Sequence, residues 1–361
     1  MAEKPVIEQA FAFQTDGKPI SCVPYGEGHI NRTYLVTDDI ANQYILQKIN
    51  QNVFRKPDLL MLNIAAITSW AKKTAASPRE VLELVLTERN KLWLLDTDGE
   101  YWRMYRFIRD SICLQMAGSA ADFAESGIAY GRFQRQLADF PADSLYETIP
   151  RFHDTVLRCQ NLKEAVQNDC CGRVKDVGPE LAFAFEREAY AGKLLALESA
   201  GVLKRKVTHN DTKLNNVLLD RDTRKALCVI DLDTVMPGLL VNDFGDAIRF
   251  GASTALEDER DLSRVKLSLP YFKAFTESFL SACGDSLDSN EREYLCDGAK
   301  MMTLECGIRF LTDYLAGDTY FRISRDGQNL DRARTQFKLV AEMEQVWDEM
   351  QGIVLKSNAA N

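Results

Sequence analysis

The sequence predicts an α+β protein of two lobes: a small β-rich lobe over residues 1–109 and a larger, mostly helical lobe over residues 110–361. In the first hundred residues, short apolar runs alternate with turn residues, which is typical of strands. From about Ala120 the apolar residues recur at helical spacing, with one strand-like interruption. The length of 361 residues agrees with two such units.

The N-terminal lobe begins with strands. Residues 21–39 predict two strands around a small glycine loop, and residues 42–50 predict a third. Alternation along the third strand places Tyr44, Leu46 and Lys48 on one face. We expect this face to line a cleft, because Lys48 shares it with two large side chains.

The remaining elements follow in order. Residues 56–75 have a helical period, and residues 79–108 predict further strands, with Asp98-Gly99 as a hairpin turn. We place the lobe boundary between Phe107 and Ser111, where the character of the sequence changes. Three long helical patterns end the chain, roughly over residues 260–282, 289–316 and 329–355.

Composition excludes several functional classes. The formal net charge of −9 and the pI near 5.1 argue against nucleic-acid and anionic-membrane partners. Nine cysteines without a Cys-x-x-Cys pair indicate reduced thiols rather than disulfides or a zinc site. The sequence has no signal-peptide pattern and no apolar run of about 18 residues, so we expect a cytoplasmic protein. We expect a monomer, although the sequence does not fix the oligomeric state.

Residues 209–216, His-Asn-Asp-Thr-Lys-Leu-Asn-Asn, have the H-x-D-x-K-x-x-N pattern of a catalytic loop for phosphoryl transfer. In that reaction one carboxylate takes the proton of the acceptor hydroxyl, while an amide oxygen and a second carboxylate hold Mg²⁺. Asp211, Asn216 and Asp231 supply these groups in that order. Residues 215–233 also predict a β-hairpin that leaves Asn216 and Asp231 near the same end. The sequence therefore predicts Asp211 as the base, and Asn216 and Asp231 as the metal ligands.

Asp243-Phe244-Gly245 has the spelling of a kinase metal motif but not its context. It lies 32 residues after Asp211 and follows no apolar strand. The segment instead predicts a helix start capped by Asn242 or Asp243, with Asp246 and Arg249 paired at i, i+3. We expect Asp243 and Asp246 to support the catalytic loop through hydrogen bonds to His209 or its backbone.

A nucleotide site is predicted in the N-terminal lobe. Gly26 and Gly28 form a short glycine-rich loop whose backbone N–H groups suit phosphate oxygens. Lys48, on the next strand but one, is the candidate phosphate lysine. Backbone groups around Tyr105 and Phe107 are the candidate purine contacts, from their position before the lobe boundary.

The helix at residues 56–75 contains no glutamate between Pro57 and Lys73. A kinase of this type pairs its phosphate lysine with such a glutamate. Asp58 and Asn63 are the candidates left on the helix, so the partner of Lys48 stays open.

These motifs together resemble the aminoglycoside phosphotransferase family, which has a protein-kinase-like fold, and within it the N-acetylhexosamine 1-kinases. The resemblance spans residues 26–321 and rests on segments 26–34, 149–154, 209–220, 228–253 and 309–321. It implies phosphorylation of the anomeric hydroxyl of N-acetylglucosamine or N-acetylgalactosamine, with ATP and Mg²⁺ as cofactors. It also implies that residues 1–109 bind the nucleotide and that residues 110–361 carry the catalytic and acceptor sites.

The resemblance assigns roles residue by residue. Lys213 takes the position of the catalytic-loop lysine that contacts the transferred phosphoryl group. The sugar pocket is expected to use, together with Asp211, His29, His153, Arg309 and Tyr320. Other interpretations stay open: a surface ion pair of Arg309 with Glu305, a local loop contact of His153, and simple packing of Tyr320.

Two other functions remain open from the sequence. The first is a kinase of the same family that acts on an aminoglycoside, choline-like or homoserine-like alcohol. The second is a binding module that has lost catalysis, which the absent helix glutamate favours and the intact Asp211, Asn216 and Asp231 disfavour. The preference between sugar epimers and between ATP and GTP is not determined.

Overall fold

The computed structural model describes residues 6–26 and 30–357, and it confirms the predicted kinase-like α+β fold. An antiparallel sheet forms the N-terminal lobe, and the rest is mostly helical. Two helices accompany the sheet, α1 (Ile7–Ala10) and α2 (Pro57–Ala71). The strands of the sheet are β1 (Pro19–Pro24), β2 (Arg32–Asp38), β3 (Gln43–Lys48), β4 (Leu84–Val85), β5 (Leu94–Leu95) and β6 (Tyr101–Arg106).

The sheet has the strand order β1-β2-β3-β6-β4, with β5 paired to β6. Its register places Gln47 opposite Arg103 and Lys48 opposite Trp102. The predicted hairpin turn at Asp98-Gly99 joins β5 to β6, and Gly99 has the positive φ of +78° that such a turn requires. The sequence therefore located these strands correctly.

The two faces of the sheet have different surroundings, and they correct one expectation. Tyr44 and Leu46 are fully buried in a cluster with Trp102 that packs under α1. Ile45 and Tyr105 face the other way, toward α2 and the C-terminal lobe. The expectation that Tyr44, Leu46 and Lys48 line the cleft was wrong. The residues that alternate with them along the strand, such as Ile45, face the cleft instead.

The lobe boundary predicted between Phe107 and Ser111 falls between strands of two different sheets, and it stays a prediction. β6 ends at Arg106, and β7 (Ser111–Cys113) pairs with β9 of the second lobe. The other strands are β8 (Arg205–Thr208), β9 (Val217–Asp220), β10 (Ala226–Val229) and β11 (Met236–Leu239). The helices are α3 (Ala120–Gln136), α4 (Thr155–Asn168), α5 (Gly178–Glu186), α6 (Glu188–Ala191), α7 (Lys193–Ser199), α8 (Leu240–Gly251), α9 (Leu269–Cys283), α10 (Ser289–Glu293), α11 (Leu295–Leu315), α12 (Gln328–Gln345) and α13 (Trp347–Lys356).

Two antiparallel pairings hold the predicted catalytic segments. β9 pairs with β10 and β8 pairs with β11. Residues 209–216 run from β8 into β9, and residues 230–235 run from β10 into β11. Each loop therefore connects the β8–β11 pair with the β9–β10 pair, so the two loops lie side by side, as the predicted hairpin requires. A hydrogen bond joins them, because Ile230 N–H donates to the Asn216 carbonyl at 2.9 Å.

The helical patterns near the C-terminus were predicted correctly except at their ends. The pattern over 260–282 becomes a helix only from Leu269, because Pro270 cannot lie inside a helix and Ser268 caps its first turn. The last two patterns are each interrupted once, at Tyr294 and at Val346. Within residues 6–26 and 30–357, no helix is long and apolar enough to cross a bilayer.

α8 and α11 cross in close contact, which explains the glycine of the Asp243-Phe244-Gly245 motif. A Cβ atom on Gly245 would lie 2.2 Å from the Gly298 carbonyl oxygen. A Cβ atom on Gly298 would lie 2.0 Å from the Val241 carbonyl oxygen. Gly245 therefore serves helix packing, and the resemblance of this motif to a metal loop is accidental.

Candidate active site

The catalytic loop is anchored at His209. This side chain is fully buried between the rings of Tyr130 and Phe133, with ring centroids 5.6 and 5.9 Å away. Its Nε2 lies 2.9 Å from the Ile230 carbonyl oxygen. Because a carbonyl oxygen can only accept, Nε2 carries the hydrogen. The imidazole thus joins the catalytic loop to the residue before Asp231.

Asp243 holds the backbone of the same loop. Its carboxylate accepts the N–H of His209 at 2.8 Å and that of Asn210 at 2.7 Å, and it accepts from Gln134 at 2.9 Å. Burial raises the pKa of Asp243 to about 6, although His209 and these N–H groups oppose the shift. The expected support of the loop by Asp243 is therefore present.

The expected capping role was wrong. α8 begins at Leu240 with no side-chain cap, because Asp243 turns toward the catalytic loop and lies within the first turn. Asp246 and Arg249 do form the expected i, i+3 pair, with Arg249 Nη2 2.8 Å from Asp246 Oδ1.

Asp211 lies at the centre of the loop with both carboxylate oxygens engaged. Lys213 Nζ is 2.8 Å from Oδ1, and Asn216 Nδ2 donates to Oδ2 at 3.0 Å. Burial raises the pKa of Asp211, but Lys213 outweighs it, so the pKa lies below its usual value. Asp211 is therefore ionised at neutral pH, as a base requires.

Asp231 and Asn216 have the properties expected of Mg²⁺ ligands. Asn216 uses its amide nitrogen to bond Asp211, which leaves its Oδ1 as the atom for a cation. The Asp231 side chain is open to the cleft, and its backbone is left-handed with φ +59°. Withdrawal from bulk water between the lobes, together with Asp233 and Asp211, raises the pKa of Asp231 to about 7. A cation would relieve this accumulation of negative charge.

The donor set fits Mg²⁺ bound with a nucleotide. Mg²⁺ commonly takes one or two protein oxygens and completes its octahedron with phosphate oxygens and water. Across the described residues no group of three or more His, Cys, Asp or Glu side chains could hold a metal. When bound here, the ion would neutralise charge on the phosphates.

The predicted nucleotide residues of the N-terminal lobe are only partly brought together. Gly26, with φ +75°, follows β1, and the neighbouring Tyr25 ring packs edge-on against Phe107 with centroids 5.9 Å apart. The start of the glycine loop thus lies beside the link between the lobes. Gly28 and His29, predicted for the nucleotide and acceptor sites, lie outside the described residues.

The backbone groups predicted to contact the purine mostly form hydrogen bonds within the sheet. Tyr105 is a central residue of β6, paired to both β3 and β4. The N–H of Phe107 donates to the Gln43 carbonyl at 3.0 Å. Their part in purine binding stays a prediction, and it is restricted to groups that these bonds leave available.

Lys48 does not lie where the prediction placed it. Its Nζ is 2.7 Å from Glu100, a residue beside the β5–β6 turn, on the face of the sheet away from the C-terminal lobe. Asn63, a candidate partner on α2, instead donates to the carbonyls of Tyr146 and Val235 at 2.8 and 3.0 Å. The position of Lys48 speaks against a phosphate contact.

Arg103 is the cleft-facing cation that sequence reasoning missed. It is 1% exposed, donates to Gln47 Oε1 at 2.9 Å and forms an ion pair with Asp233. Burial lowers its pKa, but Asp233 outweighs this effect and the pKa lies above its usual value. The signal for Arg103 was its alternation with Trp102 and Met104 in β6, which required the register of the sheet to interpret.

The structure brings together three of the predicted acceptor residues. His153 Nδ1 is 2.9 Å from Glu305 Oε1, and its Nε2 is 3.2 Å from the carbonyl oxygen of Asn210, which precedes Asp211. Arg309, one turn further along α11, lies over the rings of Phe152 and Tyr320, at 5.2 and 5.8 Å. This group adjoins the catalytic loop.

The alternatives for these residues can now be compared. Glu305 uses its two oxygens for His153 and for Thr155, at 2.9 and 2.7 Å, rather than for a surface pair with Arg309. Tyr320 is 57% exposed, on a turn whose backbone N–H groups are held by the Asp313 carboxylate. The interpretation of His153 as a residue that bonds its own loop was wrong, because its two partners, Glu305 and Asn210, are distant in sequence.

A cavity of about 490 Å³ opens on another side of the catalytic loop. Leu214, Arg249, Glu257, Tyr271 and Gln336 are among the residues that line it. Of the predicted acceptor residues that the structure describes, none lines this cavity. The cavity is therefore a second possible approach to the catalytic loop.

A family model described as "Phosphotransferase enzyme family" (APH) matches residues 21–267, which include both catalytic segments. The chain belongs to this family. It is accordingly a phosphotransferase that acts on an alcohol group, as predicted.

Solved structures agree on the fold at low sequence identity. A microcompartment-associated aminopropanol kinase has 15% identity and a TM-score of 0.64 over 96% of this chain and 98% of its own. An amicoumacin kinase, solved in complex with AMP-PNP, Ca²⁺ and Ami, has 14% identity and a TM-score of 0.65 over 95% and 94%. An ethanolamine kinase of Plasmodium vivax has 12% identity and a TM-score of 0.56 over 88% and 81%. The predicted cofactors, ATP and Mg²⁺, agree with membership of this phosphotransferase family.

Proposed function

We propose that the chain uses ATP and Mg²⁺ to phosphorylate the anomeric hydroxyl of an N-acetylhexosamine, N-acetylglucosamine or N-acetylgalactosamine. The family supplies the reaction class, and the resemblance to N-acetylhexosamine 1-kinases supplies the acceptor. The observation that carries the choice of acceptor is the charge of the group around His153, which favours an uncharged molecule.

The carboxylates near His153 are already engaged. Glu305 binds His153 and Thr155. Asp154 accepts from Arg151 and from the N–H of Leu157, both at 2.8 Å. A cationic acceptor, such as an amino alcohol, is stabilised most by a carboxylate whose charge no neighbouring cation offsets. Asp154 is already paired with Arg151, and both oxygens of Glu305 accept hydrogen bonds.

Cationic side chains lie in the same group. Arg309 and Arg158 lie close together, and the positive charge of Arg309 adds to burial in lowering the pKa of Arg158. The Arg158 Nε is buried without a hydrogen-bond partner among the described residues. Two guanidinium groups repel an ammonium ion, whereas they donate well to hydroxyl and amide oxygens. The rings of Phe152 and Tyr320 add the apolar surface on which a sugar ring packs.

The chain's own residues account for the transfer step. Asp211 accepts the proton of the acceptor hydroxyl while the oxygen of that hydroxyl forms a bond to the γ-phosphorus. The bond between that phosphorus and the bridging oxygen breaks, and ADP leaves with the electron pair. Lys213, 2.8 Å from Asp211, places a positive charge beside the transferred group. Asp243 and His209 keep the loop in position.

The test is to incubate the protein with ATP, Mg²⁺ and each N-acetylhexosamine, and to follow the product by phosphorus and proton NMR. We expect an anomeric proton signal split by phosphorus, and loss of that product in an Asp211→Ala variant. Parallel reactions with ethanolamine, aminopropanol and an aminoglycoside test cationic acceptors. Turnover of one of these without turnover of the sugars would contradict the proposed acceptor and keep the kinase.

A further inference from the structure

Arg103 contacts two other segments on the nucleotide side of the cleft directly, and it reaches a third through Asp233. It lies on β6 directly opposite Gln47 of β3 and donates to the Gln47 side chain. It also forms an ion pair with Asp233, two residues after the predicted metal ligand Asp231. The second oxygen of Asp233 accepts from Asn31 Nδ2 at 2.5 Å. Asn31 follows the glycine loop, and its Oδ1 accepts the N–H of Asn50 at 3.0 Å.

This network separates the roles of the two carboxylates in Asp231-Leu232-Asp233. Asp233 is 2% exposed, and both of its oxygens are engaged by side chains of the N-terminal lobe. Asp231 is open to the cleft. Asp233 is therefore fixed by the N-terminal lobe, while Asp231 remains available to a metal ion.

The backbone on both sides of Asp231 is held in place by hydrogen bonds and by the ion pair of Asp233. Asp231 has φ +59°, a left-handed conformation that is unfavourable for most residues with a side chain and that Asp and Asn tolerate best. The chain before it is held by Ile230 N–H at the Asn216 carbonyl and by His209 at the Ile230 carbonyl. The chain after it is held by Asp233 on Arg103 and by Thr234, whose hydroxyl donates to the His209 carbonyl at 2.7 Å.

We propose that Arg103 is a positioning residue for the metal site: by holding Asp233 it fixes the turn that presents Asp231 to Mg²⁺. No lysine of β3 pairs with a glutamate of α2 here, and Arg103 of β6 provides a contact between the lobes instead. The inference rests on the proposed phosphotransfer chemistry but not on the identity of the acceptor. It also gives the N-terminal lobe a direct influence on metal affinity.

The test measures metal binding without turnover. Mn²⁺ replaces Mg²⁺ as a paramagnetic probe, AMP-PNP is the nucleotide, and free Mn²⁺ is followed by electron paramagnetic resonance. We expect Arg103→Lys to weaken Mn²⁺ binding by about 10-fold or more. Lysine keeps the positive charge but does not bind Gln47 and Asp233 in the geometry of the guanidinium group. Residues that orient metal ligands commonly have effects of this size. Arg106→Lys is the matched control on the same strand, since Arg106 pairs with the surface residue Asp16.

Folding is checked by thermal melting of each variant. If Arg103→Lys does not fold, the double variant Arg103→Met/Asp233→Asn removes both buried charges together and is measured in its place. Either folded variant that binds Mn²⁺ as tightly as the wild type would overturn the proposal. A shift in melting temperature with unchanged Mn²⁺ affinity would assign Arg103 to stability alone. Because no acceptor is present, failure of the sugar assay leaves this result interpretable.

Discussion

The catalytic segment, residues 209–216 with 231–233, and the cleft face of the N-terminal sheet serve one site but are built differently. In the catalytic segment Asp211, Lys213 and Asn216 contact one another within one short loop. On the sheet, Gln47 and Arg103 come from strands 56 residues apart in sequence and meet only through their register. Chemistry that is local in sequence can be predicted from a motif, whereas chemistry that depends on strand pairing needs the fold.

The comparison also concerns how the two regions act. The catalytic segment presents groups that would touch the reacting atoms. Arg103 contacts Asp233 and is positioned to act through it. We therefore expect the largest losses of activity from the catalytic segment and smaller, metal-dependent losses from the sheet.

The largest expected effect is that of Asp211→Ala. Loss of the base should reduce kcat by about 10²–10⁴-fold, because general-base catalysis contributes that much. The dissociation constant for AMP-PNP should change little, since the predicted nucleotide contacts lie elsewhere. Single-turnover kinetics and calorimetric titration measure the two quantities. Asp222→Asn, on the exposed turn of the β9–β10 hairpin, is the control. Near-normal turnover in Asp211→Ala would place the base outside this segment.

The pH dependence of metal binding tests Asp231. Its pKa of about 7 in the metal-free protein means that a proton competes with the cation as the pH falls. Between pH 8 and pH 6 the ionised fraction falls about 10-fold, so the Mn²⁺ concentration for half-saturation should rise by about the same factor. The free nucleotide, titrated alone, corrects for its own protonation. Asp231→Asn should bind weakly at every pH, and a wild-type pH profile in that variant would remove Asp231 from the metal site.

His153→Ala extends the comparison to the acceptor side, where a residue far away in sequence contacts the catalytic loop. Loss of its hydrogen bond should raise KM for the sugar by about 5-fold to 10-fold, the equivalent of about 1 kcal/mol. KM for ATP should stay within about 2-fold. Initial-rate kinetics with each substrate varied in turn separate the two constants. Lys163→Ala, at an exposed position of α4 where the lysine pairs with Glu188, is the control. Equal increases in both KM values would indicate a general disturbance of the loop.

The smallest effect is expected from Lys48→Met. Its ion pair with Glu100 is partly exposed, so its loss should lower the free energy of unfolding by at most about 1 kcal/mol. KM for ATP should stay within about 2-fold, because the side chain lies on the outer face of the sheet. Chemical denaturation and initial rates measure these two values. A 10-fold or larger rise in KM for ATP would restore Lys48 as the phosphate lysine and contradict the contrast drawn here.

Sequence alone was sufficient where side-chain identity and short spacing carry the information. It located the β9–β10 hairpin and the supporting bonds of Asp243, and it predicted the catalytic loop and a metal site outside Asp243-Phe244-Gly245. It also placed His153 and Arg309 together by resemblance, although they come from distant parts of the chain. The ends of α8 and α9 were missed because tertiary bonds of Asp243 and the position of Pro270 decide them.

Only the tertiary structure decided which face of β3 lines the cleft. Alternation divides the strand into two sets, but both sets contain polar and apolar residues, so the sequence does not reveal which one meets the C-terminal lobe. Pairing with β6 resolves this, because it places Gln47 beside Arg103 and Lys48 beside Trp102. The sequence thus predicted the reacting groups, because they lie together in one loop. The fold determined the charge that holds them, because a buried ion pair exists only where two distant segments bring its partners together.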